Sequence, residues 1–258
     1  MPFDPRAAAQ AIADAHTARA PFTNLSGELE PPSIADAYAA QDVLRELWAS
    51  ERGTIAGLKI ATTTKVMQDL MGIDHPCGGM IFANCVHQSG ATIRQSDFIH
   101  GVIECELAVR LAQDLPTKPE PYTPDDVRSA VGSVMAAFEI IEDRNAIYRE
   151  TDAKTLIADN AWNGGVVIGA ELTPPVDMDL NGLAGHVTRA GQSAGDGRTD
   201  NPMGALAWVA NLAMERGIPL TAGMVVITGS LVPTFAAEAG DVVSFTIDGI
   251  GSVDVSIA

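Results

Sequence analysis

The chain has 258 residues, a formal net charge of -17 and 47% hydrophobic residues. That apolar content supports a sizeable core and excludes a disordered chain, and the length allows one large domain or a core domain with a smaller N-terminal one. Only 16 Lys and Arg are spread along it, so the basic patch that nucleic acid or an anionic membrane requires is missing, and an acidic substrate needs a metal or a placed cation to offset the negative field.

Residues 5–20 are Ala-rich and predict a helix that Pro21 stops. The stretch 28–32, ending in Pro31-Pro32, reads as a linker. Ser33 is an N-cap with Asp36 at the third helical position, and Ile34, Ala37, Tyr38, Val43, Leu44, Leu47 and Trp48 keep helical spacing up to Gly53. Residues 55–60 predict a short strand carrying Lys59, and Thr64 caps a short helix over 65–71 closed by Gly72. After Pro76 the texture changes to short apolar strands between Gly, Pro and Asp turns, over 79–82, 98–110, 166–168, 186–189, 225–228, 242–247 and 252–257. Two helices interrupt them. One is expected over 123–141, opened by Thr123-Pro124-Asp125-Asp126, and one over 202–216 with Gly217 after it. Strands with only occasional helices define an α+β class. The expected division is an N-terminal helical region with the lysine-bearing strand, residues 1–75, and a β-rich catalytic domain, residues 76–258.

Cys77, Cys85 and Cys105 are odd in number and lack paired CxxC spacing, so neither a disulfide framework nor a zinc site is expected. The N-terminus shows no basic segment followed by an apolar one, and no apolar run approaches the ~20 residues that span a bilayer. These features predict a soluble cytoplasmic protein with no nucleic-acid or membrane partner.

The chemistry concentrates in the run Val102-Ile103-Glu104-Cys105-Glu106-Leu107-Ala108-Val109. Side chains alternate along a strand, so Glu104 and Glu106 share one face while Ile103, Cys105, Leu107 and Val109 take the other. Two adjacent carboxylates with little water repel, so one picks up a proton or a cation lies between them. Mg²⁺ and Mn²⁺ prefer carboxylate oxygens. The plainer alternative is a strand with a solvated acidic face. Glu139 is a third acid out of place, between Phe138 and Ile140, although a helix-end Glu facing solvent reads equally simply. Lys59 has apolar neighbours, Leu58 and Ile60; if buried, it could bind a carboxylate or move a proton, and its alternative is a solvated strand end. Asp159-Asn160 lies in a polar cluster that reads as an Asx turn before the strand at Val166, and Gly164-Gly165 permits close backbone approach. Thr228-Gly229-Ser230 ends a strand with hydroxyls suited to a carboxylate or carbonyl. No phosphate loop, GxSxG or HExxH sequence occurs, and the five histidines show no nucleophile partner.

Taken in order, GLKIATTTKVMQDLMGIDHP (57–76), IECELAVRLAQDL (103–115), AFEIIEDR (137–144), LIADNAWNGGVVIG (156–169), NPMGALAWVANLA (201–213), AGMVVITGSL (222–231) and GIGSVDVSI (249–257) resemble the fumarylacetoacetate hydrolase superfamily. The branch they resemble contains the 2-keto-4-pentenoate hydratases and 4-oxalocrotonate decarboxylases. The resemblance implies a small helical N-terminal region and a larger domain built on a mixed β-roll with flanking helices. It also implies Mg²⁺ or Mn²⁺ held by Glu104, Glu106 and Glu139, a small 2-oxo acid substrate, Lys59 as the active-site lysine, Asp159 and Asn160 near the substrate, and a homo-oligomer.

Three departures stand near that implied site. Hydratases of the branch typically carry Asp where this chain has Cys77, and decarboxylases an apolar residue. Trp162 stands where the family has small Ser residues, and Ala61-Thr62-Thr63-Thr64 replaces Gly-Leu-Thr-Ser. The expectation is a metal-dependent hydratase (a lyase) for a small unsaturated 2-oxo acid, with Lys59 and Cys77 catalytic and Asp159, Asn160, Trp162, Thr228 and Ser230 binding substrate. The rivals are a 2-oxo acid decarboxylase and a non-catalytic protein that binds metal and 2-oxo acid.

Overall fold

The computed structural model describes residues 2–258. In chain order its elements are α1 (Pro5–Thr17), α2 (Ile34–Arg52), β1 (Ile55–Ala61), α3 (Lys65–Met71), β2 (Cys77–Phe82), β3 (Val86–Gln88), β4 (Ala91–Ile93), β5 (Gly101–Leu111), α4 (Pro124–Arg128), β6 (Val131–Glu142), α5 (Ala153–Ala158), β7 (Asn163–Ile168), β8 (Ala184–Arg189), β9 (Gln192–Arg198), α6 (Pro202–Glu215), β10 (Val225–Ser230), β11 (Phe235–Ala236), β12 (Val242–Ile247) and β13 (Gly251–Ile257). The helix ends follow local chemistry. Ser33 Oγ accepts from Asp36 N at 3.1 Å to open α2, and Gly53, at φ 82°, closes it. Thr64 caps α3 and Gly72 ends it in the left-handed region.

The helix expected over 123–141 is corrected. Thr123 and Asp126 form the capping box that its sequence announces, but the helix stops at Arg128 and residues 131–142 are strand β6. The run Val134-Met135-Ala136-Ala137-Phe138 is buried on both faces of a sheet, so it shows no alternation, and periodicity alone does not separate such a strand from a buried helix. Glu139 is therefore a strand residue.

The strands form two sheets. The larger runs β2-β1-β10-β5-β6-β7-β3, with β11 pairing β5; the smaller runs β4-β13-β12-β8-β9. Both mix parallel and antiparallel pairs, such as β1 with β10 parallel and β5 with β6 antiparallel. β1, counted above with the N-terminal region, lies inside the large sheet between β2 and β10. Gly57 permits that placement, because a Cβ there would lie 1.9 Å from the Val225 carbonyl oxygen.

The large sheet rolls up. Its outer face carries Leu58, Met80, Cys105, Leu107, Phe138 and Val226, which join a core shared with α2, α6 and the small sheet; Phe138 meets Phe245 of β12 with ring centres 6.2 Å apart. Its inner face holds an apolar plug of Ile81, Ala108, Met135, Ala137, Val166, Ile168, Val225 and Ile227. One step further along the same strands comes Lys59 on β1, Glu104 and Glu106 on β5, and Glu139 on β6. One step beyond again the face turns apolar, with Ala61, Cys77, Val102 and Ile141 packed beside α5 and Trp162. The sequence thus builds a belt of charge between two apolar layers. Asn160 ties the roll together by bonding both Met80 N (2.7 Å) and Met80 O (2.9 Å) of β2 just before β7 begins.

Candidate active site

Glu104 and Glu139 are directly paired across β5 and β6, and Glu106 lies two residues along the same face. One carboxylate oxygen from each lies within 4.8 Å of the others. Glu106 and Glu139 are fully buried, and Glu104 is half-buried at the cavity edge. Protein donors hold one oxygen of each acid. Gly229 N donates to Glu106 Oε2 at 2.7 Å, Asn163 Nδ2 to Glu139 Oε1 at 2.8 Å, and Thr234 Oγ1 to Glu104 Oε1 at 2.5 Å. The Gly229 contact depends on a register shift in β10 and on φ of 110°, which turn its N–H inward. Glu106 Oε1 and Glu139 Oε2 are buried with no partner. Two bare buried oxygens beside a third carboxylate form an all-oxygen donor set for a hard divalent cation.

The electrostatics agree. Burial, then the neighbouring Glu139 and Glu104, push the Glu106 carboxyl well above its ordinary range. Burial also pushes Glu139 up, to about 7, against the pull of Lys59. Without a cation the three acids do not all stay ionised; a dication inverts that balance. Lys59 is 2% exposed, and its Nζ lies 3.1 Å from Glu139 Oε1 and 3.2 Å from the Ala161 carbonyl oxygen. Burial alone would lower its ammonium, but Glu139, Glu104 and Glu106 outweigh that and hold it above its ordinary value.

Lys59 and Glu104 open into a cavity of about 470 Å³. Trp162 and Ser230, both expected at the substrate, line it with them. Lys59 is the only cationic side chain in that lining; the rest includes hydroxyls from Thr62 to Thr64, Tyr148 and Thr234 and apolar surface from Met67, Met71, Ile141, Leu156 and Val232. Four expected residues stand behind the wall. Asp159 is buried between Arg144 (2.6 Å) and His16 (2.7 Å), Asn160 is spent on Met80, and Thr228 Oγ1 donates to the Leu107 carbonyl at 2.8 Å. Cys77 is fully buried, and Thr62 Oγ1 lies 3.6 Å from its sulfur. Burial raises the thiol above its ordinary pKa, opposed by Thr62 and Lys59.

Asp159 and Asn160 nevertheless shape the site. Asn160, Ala161 and Trp162 are three consecutive non-glycine residues at φ of 54°, 45° and 58°. Such backbone persists only where surroundings over-determine it, and the Asp159 ion pairs and the two Asn160 bonds do so. The bend delivers the Ala161 carbonyl to Lys59 and the Trp162 ring to the cavity, edge-on to Phe22 at 5.1 Å.

Asn163, Thr234, Tyr148, Met67 and Met71 were missed as site residues. Asn163 lay within the polar cluster before β7, so its signal was present. Thr234 follows Pro233 on a loop and carries no local mark, because its role depends on β11 pairing with β5.

A rolled mixed sheet with an acid triad and a buried lysine at one end defines a metal-binding enzyme scaffold. Residues 56–258 match the family described as fumarylacetoacetate (FAA) hydrolase C-terminal, and the chain belongs to that family. It is 32% identical over 233 residues to 2-keto-4-pentenoate hydratase 1 of Dechloromonas aromatica (strain RCB), covering 88% of each chain. It is 32% identical over 242 residues to 2-hydroxyhexa-2,4-dienoate hydratase of Comamonas testosteroni, covering 92% of this chain and 89% of the relative. Among solved structures it is similar to 4-oxalocrotonate decarboxylase from Pseudomonas putida G7, complexed with magnesium and adipate, at a TM-score of 0.89 and 25% identity over 98% of this chain and 97% of that one.

Proposed function

We propose that the protein is a metal-dependent hydratase that adds water to a small unsaturated 2-oxo acid such as 2-hydroxypenta-2,4-dienoate. The observation that carries this reading is the cavity itself, in which Lys59 and Glu104, the outermost acid of the triad, open onto a wall that is otherwise apolar or hydroxylic. The hydratases similar over nearly the whole chain support the same reaction class.

Glu104, Glu106 and Glu139 would hold Mg²⁺ or Mn²⁺, which would supply Lewis acidity toward a 2-oxo acid. Lys59 offers its ammonium to the substrate carboxylate, and as the one cationic side chain of the lining it can deliver a proton. Thr62 and Ser230 place hydroxyls on the cavity wall, where their oxygens can accept from the added water. The polar contact of Cys77 toward the cavity is the Thr62 hydroxyl, so its part in proton transfer is as the far member of a Thr62–Cys77 relay. Asp159 and Asn160 act by holding the 160–162 bend.

The 4-oxalocrotonate decarboxylase likeness supports a second reading, decarboxylation of a 2-oxo acid. It is weaker on one ground. A second carboxylate would meet no second cation in this cavity. The proposal includes a homo-oligomer of this chain, as the family resemblance implies. Among the described residues no helix is long and apolar enough to cross a membrane.

The test is purified protein with 2-hydroxypenta-2,4-dienoate and, separately, 4-oxalocrotonate, each with Mg²⁺ or with EDTA. Metal-dependent loss of the dienoate with a hydrated product supports the proposal. CO₂ release from 4-oxalocrotonate alone moves it to decarboxylation. Oxalate binding without turnover of either substrate makes it a binding protein.

A further inference from the structure

Behind the active site lies a second cavity, of about 810 Å³, between α1, α2 and the segment leading into β5. Arg52 projects into it from the last turn of α2, its guanidinium carbon 3.6 Å from the Trp48 ring centre. Among the described residues Arg52 has no carboxylate within 4.0 Å and no hydrogen-bond acceptor. Arg19 enters the same cavity and bonds only to backbone carbonyls, those of Phe98 (2.7 Å) and Asp97 (3.4 Å). The cavity's acids make no close pair with these two arginines, although Glu51 and Glu142 lie near enough to favour the Arg52 charge. Asp97 is taken by Arg94 at 3.2 Å, and both oxygens of Glu142 accept backbone N–H groups from residues 99, 100 and 144, leaving Glu51 against two arginines.

Among the described residues several arginines have no carboxylate within 4.0 Å, and Arg52 and Arg19 are the two of them that line one cavity together. Stacking on Trp48 holds Arg52 in place without using its N–H donors, so its fork remains free for a planar acceptor. Burial lowers its pKa from the ordinary value, which reflects the hydration it has lost. The remaining wall includes Leu47, Trp48 and Phe98, which suit an apolar body behind a charged head.

We propose that this cavity is a separate binding site for a small carboxylate on an apolar ring or short chain, with Arg52 and Arg19 receiving the carboxylate and Trp48 and Phe98 the body. It is distinct from the metal centre but adjoins it, because Asn163 lines this cavity while donating to Glu139.

The experiment is calorimetric titration of benzoate into the full chain held with saturating Mg²⁺ and oxalate, so that the triad cavity is filled. Tryptophan fluorescence is followed in parallel, since Trp48 lies beneath Arg52. The expected result is saturable binding of one benzoate per chain with a fluorescence change that Trp48→Phe removes. Arg52→Gln weakens it at least about tenfold, the loss expected for a charge-assisted pair, and Arg19→Gln gives a second, independent loss. Benzoate binding that Mg²⁺ and oxalate abolish, binding unchanged in both arginine variants, or saturable binding of inorganic phosphate but not benzoate would each overturn the assignment.

Discussion

Lys59 Nζ lies 3.1 Å from Glu139 Oε1 although their strands, β1 and β6, are separated in the sheet by β10 and β5. At about 4.8 Å per strand, a flat sheet would hold the two backbones roughly 14 Å apart. The rolling of the sheet therefore makes the site, and the buried pair in turn joins two distant strands. Lys59→Met leaves Glu139 buried without its cation. It is expected to destabilise the metal-free protein by about 3–5 kcal/mol, the usual cost of breaking a buried pair. Added Mg²⁺ recovers part of that loss, because a dication replaces the missing charge, while turnover stays absent. Urea unfolding with EDTA and with Mg²⁺ measures both; equal losses in the two conditions would show that the ammonium and the metal do not share Glu139.

Glu106→Gln separates metal binding from folding with opposite signs. Glu106 is fully buried, raised in pKa and has one bare oxygen, so the metal-free protein bears a repulsion that the amide removes. The variant is expected to melt at or above the wild-type temperature in EDTA. Wild type gains about 2.7 kcal/mol at a Mg²⁺ concentration of a hundred times Kd, and the variant gains almost nothing. A variant that melts well below wild type in EDTA would mean Glu106 contributes to the fold without any cation.

These two residues also mark how far the sequence reaches. Glu104 and Glu106 were legible because the two-residue period of a strand puts them on one face, and the structure keeps them there. The strand that carries Glu139 was not, since β6 is buried on both sides and its apolar run mimics a helix. Lys59 could be flagged by its apolar neighbours, but its distance to Glu139, 80 positions away, is a property of sheet curvature that no local pattern encodes. Asp159 and Asn160 were drawn toward the substrate by resemblance. The structure gives them ion pairs and backbone bonds instead, because a left-handed bend in non-glycine residues needs holding.

Asn160→Ala tests that holding role. It removes two buried hydrogen bonds to Met80 and is expected to cost roughly 2–4 kcal/mol. Asn160→Asp keeps an acceptor for Met80 N but sets a buried carboxylate against Met80 O, and is expected to cost at least as much. Since the bend also delivers the Ala161 carbonyl to Lys59, kcat should drop while Mg²⁺ affinity is kept. Mg²⁺ titration by calorimetry beside steady-state kinetics checks the split. A loss confined to KM would instead place Asn160 against the substrate.

Trp162 lines the cavity with its indole nitrogen buried and unpartnered. Trp162→Phe removes that unsatisfied donor and some packing against Phe22 and Tyr148, two terms of opposite sign. Stability should stay within about 1 kcal/mol. The enlarged wall should raise the kcat/KM ratio of a longer-tailed dienoate over the pentadienoate by about tenfold, the scale of one or two methylenes in an apolar pocket. Competition between the two dienoates reads this directly, and an unchanged ratio would remove Trp162 from the specificity wall.

The three thiols should divide by burial. Cys77 and Cys105 are fully buried and Cys85 is half-buried. Burial raises all three above the ordinary thiol value, so thiolate is scarce at neutral pH and a reagent must also reach the sulfur. Cys85, with Arg52 opposing its rise, is the one that reacts. Ellman's reagent on native protein at pH 8 should titrate about one thiol per chain slowly, and three after unfolding. Cys85→Ser should remove the native signal. A second native thiol that disappears in Cys77→Ser would mean that Thr62 opens and that the Cys77 sulfur faces the cavity directly. In that case Cys77 would act on substrate itself instead of through the Thr62 hydroxyl.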